Sequence, residues 1–131
     1  MSPRVAACSC GNLTARCEGA PERISVCHCL ECQRRTGSVF GVQARYRADR
    51  VEHEGEHASW TRTGDAGARA TFRFCPTCAA TVWWTLDVFP DAVILPVGAF
   101  ADPEFGAPTF SVYEARCHAW ARPAHDLERM D

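Results

Sequence analysis

Seven cysteines fall into three tight groups along this chain: Cys8 and Cys10 in CSCG, Cys27, Cys29 and Cys32 in CHCLEC, and Cys75 and Cys78 in FCPTCA. This crowding limits the fold more than any other feature, because each group must bring its sulfurs toward a common point. With nine cysteines in all, a disulfide framework leaves one unpaired. The C-x-C and C-x-x-C spacings favour metal ligation over bridges in a reducing cytoplasm. Around a tetrahedral zinc ion, Zn–S bonds of about 2.3 Å put sulfurs about 3.8 Å apart. Residues i and i+2 of a flat strand have Cα atoms about 6.6 Å apart, so a C-x-C pair on one ion needs a bent backbone. Gly11, directly after Cys10, makes that bend accessible.

Coordination counting divides seven ligands into four and three. Four thiolates close a structural site, whereas three leave one position for water or substrate, as catalytic zinc requires. Cys27, Cys29 and Cys32 are the better candidates for the open site, since one short loop supplies all three. Cys8, Cys10, Cys75 and Cys78 would then form the closed site and pin the N-terminal segment to a central hairpin. Spacing leaves a second pairing open, in which Cys29 and Cys32 join Cys75 and Cys78 in an ordinary zinc ribbon. Cys17 and Cys117 stand alone on apparent strands and read as core cysteines. His28 lies between two proposed ligands, where a role in orientation or exposure to solvent fits better than a place on the same ion.

The length of 131 residues fits one domain over 1–131, and 47% hydrophobic residues suffice for a core. A formal charge of −2 with no run of like charge argues against nucleic acid as a partner. Seven thiolates against two zinc ions add three negative charges, for about −5 when loaded. All 14 basic residues are Arg, which excludes a lysine Schiff base or P-loop. The opening stretch MSPRVAACSCG lacks an apolar segment of signal-peptide length, and no stretch approaches a membrane span. A cytoplasmic location is expected.

Strand patterns dominate. RATFRF (69–74) alternates strictly, and TVWWTL (81–86), AVILPVGAF (92–100), TFSVYEARC (109–117) and SVFGVQARY (38–46) are rich in β-branched and aromatic residues. Residues 69–86 read as a hairpin with CPTC at its tip. Trp83 and Trp84 fall on opposite faces, one toward the core and the other toward a pocket or interface. A helical turn or two follows Cys29 and stops at Gly37. HEGEH (53–57) matches the H-E-x-x-H metalloprotease pattern, but Gly55 and the absence of an apolar stripe point to a polar turn between strands.

Taken together, CSCG, CHCLECQRRTGSVFG, FRFCPTCAA, PVGAFADP and HAW resemble the glutathione-dependent formaldehyde-activating enzyme family in order and spacing, over roughly residues 6–122. The resemblance implies an all-β, zinc-ribbon-related β-tent fold of antiparallel sheets with two Zn2+ ions per chain. It implies a structural zinc on Cys8, Cys10, Cys75 and Cys78 and a catalytic zinc on Cys27, Cys29 and Cys32. The implied activity is a carbon–sulfur lyase reaction joining a glutathione-like thiol to formaldehyde or a related small aldehyde. Glu31 and His28 are candidate proton donors, and Arg34 or Arg35 a candidate carboxylate clamp. A non-enzymatic, zinc-stabilised protein-binding module is the alternative. One position departs from the family pattern: Ala79 follows the second knuckle cysteine where Gly is common. If that position needs positive φ, Ala costs on the order of 1 kcal/mol.

Overall fold

Alternating and β-branched segments pair into two sheets in the computed structural model, which describes residues 3–123 and 125–131. The smaller sheet takes β1 (Arg4–Ala7), β2 (Thr14–Cys17) and β5 (Val51–Glu54) in the order β1-β2-β5. The larger sheet is built from β3 (Arg23–Cys27), β4 (Gly41–Arg47), β6 (Ala58–Thr63), β7 (Arg69–Phe74), β8 (Thr81–Leu86), β9 (Phe89–Pro96), β10 (Phe110–Val112) and β11 (Glu128–Arg129). Its order is β11-β10-β3-β4-β9-β8-β7-β6. The helix α1 (Leu30–Thr36) follows β3. The all-β expectation holds.

The main core lies between the two sheets. Ala6, Leu13, Ala15 and Cys17 pack from the small sheet side against Ala44, Tyr46, Val82, Trp83, Val93 and Leu95 of the large sheet. A second, smaller cluster of Ala70, Phe72, Trp84 and Ile94, with Leu86 beside it, occupies a separate patch of the large sheet. Its residues are in register across strands, Trp60 opposite Phe72, Phe72 opposite Trp84 and Trp84 opposite Ile94. Trp83 and Trp84 therefore serve different clusters, as the pleat requires of neighbours.

The hairpin over β7 and β8 forms with CPTC at its tip. HEGEH forms no helix: its first two residues end β5, and Gly55 turns the chain toward β6. Three strand expectations need correction, the first being 38–46, whose strand begins only at Gly41. Residues 92–100 are not one strand, because β9 stops at Pro96, a residue with no N–H for the ladder, and a 3-10 turn runs over Val97–Phe100. Residues 109–117 keep only three strand residues before Tyr113 enters the left-handed region (φ 57) and a 3-10 turn follows over Glu114–Arg116. Cys117 thus lies beyond the strand and is only half-buried, unlike Cys17, which is fully buried. The sheets are antiparallel except at β10, which runs parallel to β3 and to β11.

Gly55 packs the β5–β6 turn against the β1–β2 loop. Its φ is +107°, and a Cβ there would lie 1.9 Å from the backbone oxygen of Asn12. Gly55→Ala is expected to destabilise the fold by on the order of 4 kcal/mol. Gly67→Ala, at φ +90° with open space around it, should cost only about 1 kcal/mol. Urea unfolding of both variants checks this; equal losses would contradict the packing of this turn against Asn12.

Candidate functional site

Two sulfur sets form at the ends of strands. Beyond β1 the chain turns at Cys8, where Cys8 N–H donates to Leu13 O at 2.9 Å and Gly11 N–H to Cys8 O at 3.0 Å. This bend puts Cys8 Sγ and Cys10 Sγ 3.6 Å apart, and Cys10 Sγ lies 3.6 Å from Cys75 Sγ at the β7–β8 tip. All four sulfurs of Cys8, Cys10, Cys75 and Cys78 lie within 4.8 Å of one another. Backbone N–H groups point into the set, from Leu13 to Cys8 Sγ at 3.2 Å and from Thr77 to Cys75 Sγ at 3.4 Å. The N–H of Ala80, then that of Cys10, holds the Cys78 thiol down to about 6. Ala79 does adopt positive φ, at 69°, so the knuckle carries the strain that its missing glycine implies.

The second set is Cys27, Cys29 and Cys32, also within 4.8 Å of one another. Cys27 ends β3, Cys29 caps α1 by accepting the Cys32 N–H at 3.2 Å, and Cys32 lies on the buried side of the first turn. Gly37 closes α1 in the left-handed region, its N–H on Gln33 O, as the sequence suggests. Electrostatically the trio behaves as one unit. Hydrogen bonds from Cys27 and then Cys32 hold the Cys29 thiol down at about 2. The bonds to Cys29 and Cys32, together with burial, push Cys27 strongly up.

Both sets fit a tetrahedral metal ion on their own chemistry. They offer only soft sulfur donors, which suit zinc, cuprous copper or iron–sulfur centres, within 4.8 Å of one another and so in the range of the 3.8 Å or so of tetrahedral zinc thiolates. Among the described residues, no fourth His, Cys, Asp or Glu ligand atom joins the trio within that 4.8 Å span. Cys29 and Cys32 do not meet Cys75 and Cys78, so the alternative ribbon pairing does not form.

The trio sits in the wall of a cleft of about 650 Å³. Glu31, Arg62, Asp65 and Arg116 supply its charge, and Trp60, Phe72 and Trp84 a run of aromatic surface. Arg34 and Arg35 do not line it. The Arg35 guanidinium instead lies 4.4 Å over the Trp84 ring, and Arg34 is exposed. Arg62 and Arg116 were beyond sequence reasoning, because a lone Arg on an edge strand and another in a 3-10 turn carry no local signal.

His28 points away from the trio. It is fully buried, and its Nε2 lies 3.1 Å from Glu114 Oε2 without the alignment of a hydrogen bond. Burial lowers its pKa, with Glu114 opposing. Glu114 itself is buried and accepts from Ser111 Oγ at 2.5 Å, Arg129 Nη1 at 2.9 Å and Arg122 Nη2 at 3.0 Å. Cys117 lies in the same neighbourhood: its sulfur, a His28 ring nitrogen and a Glu114 oxygen are within 4.8 Å of one another. Gln33 adds a second tie, donating to His28 O at 2.9 Å and to Arg116 O at 3.3 Å. The segment after β10 is thereby strapped beneath the trio's loop.

Comparison with known proteins bears on this geometry. The sequence profile described as glutathione-dependent formaldehyde-activating enzyme matches residues 3–116. A crystal structure of a Rhodobacter sphaeroides protein shares the fold, with a TM-score of 0.55 at 19% identity, covering 72% of this chain and 85% of that one. Comparison with curated proteins finds no match.

The Glu114 cluster gives a pH-dependent prediction. Burial works to raise its carboxyl, but hydrogen bonds from Ser111, Arg129 and Arg122 outweigh it and hold the group at about 2. A depressed carboxyl stabilises the fold above its ordinary range, and that contribution disappears as pH falls from about 4.5 toward about 2. Glu114→Gln is expected to lose about 2–4 kcal/mol at pH 7, since two guanidinium groups lose their anion. Urea titrations across this window should show the gap between the two proteins closing as pH falls. A gap that is constant with pH would contradict the charge assignment.

Proposed function

Because the chain belongs to the glutathione-dependent formaldehyde-activating enzyme family, we propose that it is a zinc-dependent carbon–sulfur lyase. It would join a thiol such as glutathione to formaldehyde or a related small aldehyde, on one domain spanning 1–131. Family membership already ties the chain to a formaldehyde-activating, glutathione-related function. The observation that carries the finer reading is the contrast between the two sulfur sets: four sulfurs lie together at the knuckles, while three lie in the wall of a cleft.

In this reading Cys8, Cys10, Cys75 and Cys78 hold a structural zinc, and Cys27, Cys29 and Cys32 hold a catalytic one. A coordinated thiol is deprotonated outright, and that is the chemistry a zinc ion held by the trio supplies. The protein's own groups do the rest. Arg62 and Arg116 offer cations to the carboxylates of a glutathione-like thiol. Sulfur attacks the carbonyl carbon, and the oxygen takes up a proton equivalent to the one the thiol lost. Glu31, on the cleft and two residues from Cys29, is the group we assign to relay it; His28, turned to Glu114, is not.

The competing reading, a zinc-stabilised protein-binding module, gives no role to a three-sulfur set that opens on a cleft. The C-x-C and C-x-x-C spacings, which favour metal ligation over bridges, support a reducing compartment and the cytoplasm as the proposed location. Among the described residues no helix is long and apolar enough to cross a membrane.

Elemental analysis of the native protein is expected to give two zinc ions per chain; one would contradict the division into two sites. Cys29→Ser should remove one zinc, abolish consumption of formaldehyde with glutathione and leave the protein folded. Cys75→Ser should compromise folding itself. If both variants unfold alike by circular dichroism, the separation of a working site from a fastening site is wrong.

A further inference from the structure

The cleft holds far more apolar surface than formaldehyde can use. Formaldehyde has two heavy atoms and fills about the space of one or two waters, roughly 30–60 Å³, against a cleft of about 650 Å³. A glutathione-like thiol is charged at both ends, and the cleft's charged groups, Arg62, Arg116, Glu31 and Asp65, answer that part. Left over is the aromatic row. Trp60 and Phe72 have ring centroids 6.2 Å apart, and Phe72 and Trp84 5.2 Å apart, with the Arg62 guanidinium 5.5 Å over Phe72 and the Arg35 guanidinium 4.4 Å over Trp84, so Trp60 is the ring of the row left open to the cleft.

The row runs from buried to open. Trp84 and Phe72 are 4% and 5% exposed, whereas Trp60, on the edge strand β6, is 56% exposed. The rim continues it: Leu30, Val88, Phe89 and Tyr113 also line the cleft and are also exposed. Five of the eight large hydrophobic side chains exposed among the described residues thus surround one opening. Tyr113 reaches the rim in a left-handed conformation, φ 57°, which bulky residues rarely adopt and which recurs where function fixes a side chain. The main core between the sheets includes neither Trp60, Phe72 nor Trp84. Scattered exposed apolar groups are ordinary, but a contiguous apolar opening beside reactive sulfurs is the mark of a ligand site.

We infer that the cleft beside Cys27, Cys29 and Cys32 accepts a carbonyl substrate bearing an apolar substituent of aromatic size, which lies against Trp60 and the exposed rim of Leu30, Val88, Phe89 and Tyr113. This rests on the carbon–sulfur reading above and narrows its substrate class from small aldehydes to R–CHO with an apolar R. The chemistry balances without an oxidant or reductant. The thiol R′–SH and R–CHO give R–CH(OH)–S–R′: one C–S bond forms, the carbonyl π pair moves to oxygen, and the thiol's proton is made good there.

Two unreactive thioethers shaped like the products separate the possibilities: S-benzylglutathione and S-methylglutathione, titrated into the zinc-loaded protein and followed by tryptophan fluorescence. The benzyl compound is expected to bind at least about 30-fold more tightly, as burial of one ring against an aromatic wall requires. Trp60→Ala should cut the benzyl-to-methyl ratio about tenfold. Equal affinities for the two probes in the unaltered protein would overturn the inference, whatever the variant does. Turnover rates with glutathione and either formaldehyde or benzaldehyde keep the two levels apart. Formaldehyde turnover without a benzyl preference overturns the substrate class and leaves the lyase reading standing. A benzyl preference without turnover of either aldehyde overturns the lyase reading and leaves the apolar subsite.

Discussion

Sulfur atoms packed within 4.8 Å of one another repel as thiolates and gain little as thiols. The trio shows the conflict plainly, with Cys29 driven to the anion by its neighbours and Cys27 driven away from it. Only a cation lets three or four thiolates share so small a volume. The rest of the architecture is arranged around that requirement. The four-sulfur set ties the turn after β1 to the tip of the β7–β8 hairpin, so it fastens the small sheet to the large one. The trio sits where β3 ends and α1 begins, with Cys27 paired to Gly41 of β4.

A second arrangement keeps the trio's loop in place from below. Parallel pairing of β10 with β3 brings Val112 beside Cys27, and the His28 N–H donates to Val112 O at 3.1 Å. Glu114 then turns inward to gather Ser111, Arg122 and Arg129, with His28 alongside. One buried carboxylate thus organises the chain that passes under the loop. Tyr113, immediately before it, is left facing the cleft. Fold and cleft are coupled through these few residues.

Much of this was legible in the sequence, and the reasons are local. The alternation in RATFRF and the turn residues of CPTC specify a hairpin without help from elsewhere. Gly37 after a short polar helix, and Gly55 inside HEGEH, declare their turns because other residues rarely tolerate positive φ. Ala79 was readable as a strained knuckle for the same reason. Sulfur spacing suggested the two sets, though it left the partners of Cys29 and Cys32 open until the strands were placed. What stayed hidden is long-range. Nothing in TFSVYEARC signals that Phe110–Val112 will run parallel to β3, some eighty residues earlier, so Cys117 looked like a core residue and His28 like an orienting or solvent-exposed group, whereas His28 is fully buried. The cleft's arginines come from β6 and from the turn after β10, which only tertiary structure brings together. The four-residue strands of the small sheet carry too few residues to show a period.

The proposed reaction depends on two sulfur-bound ions that differ by one coordination position. X-ray absorption at the zinc edge of the native protein tests it directly, because it counts sulfurs around the average metal. Four sulfurs at one site and three at the other predict an average of about three and a half sulfurs per zinc, with a lighter atom at about 2.0 Å making up the shell. An average of four sulfurs with no lighter neighbour would contradict it.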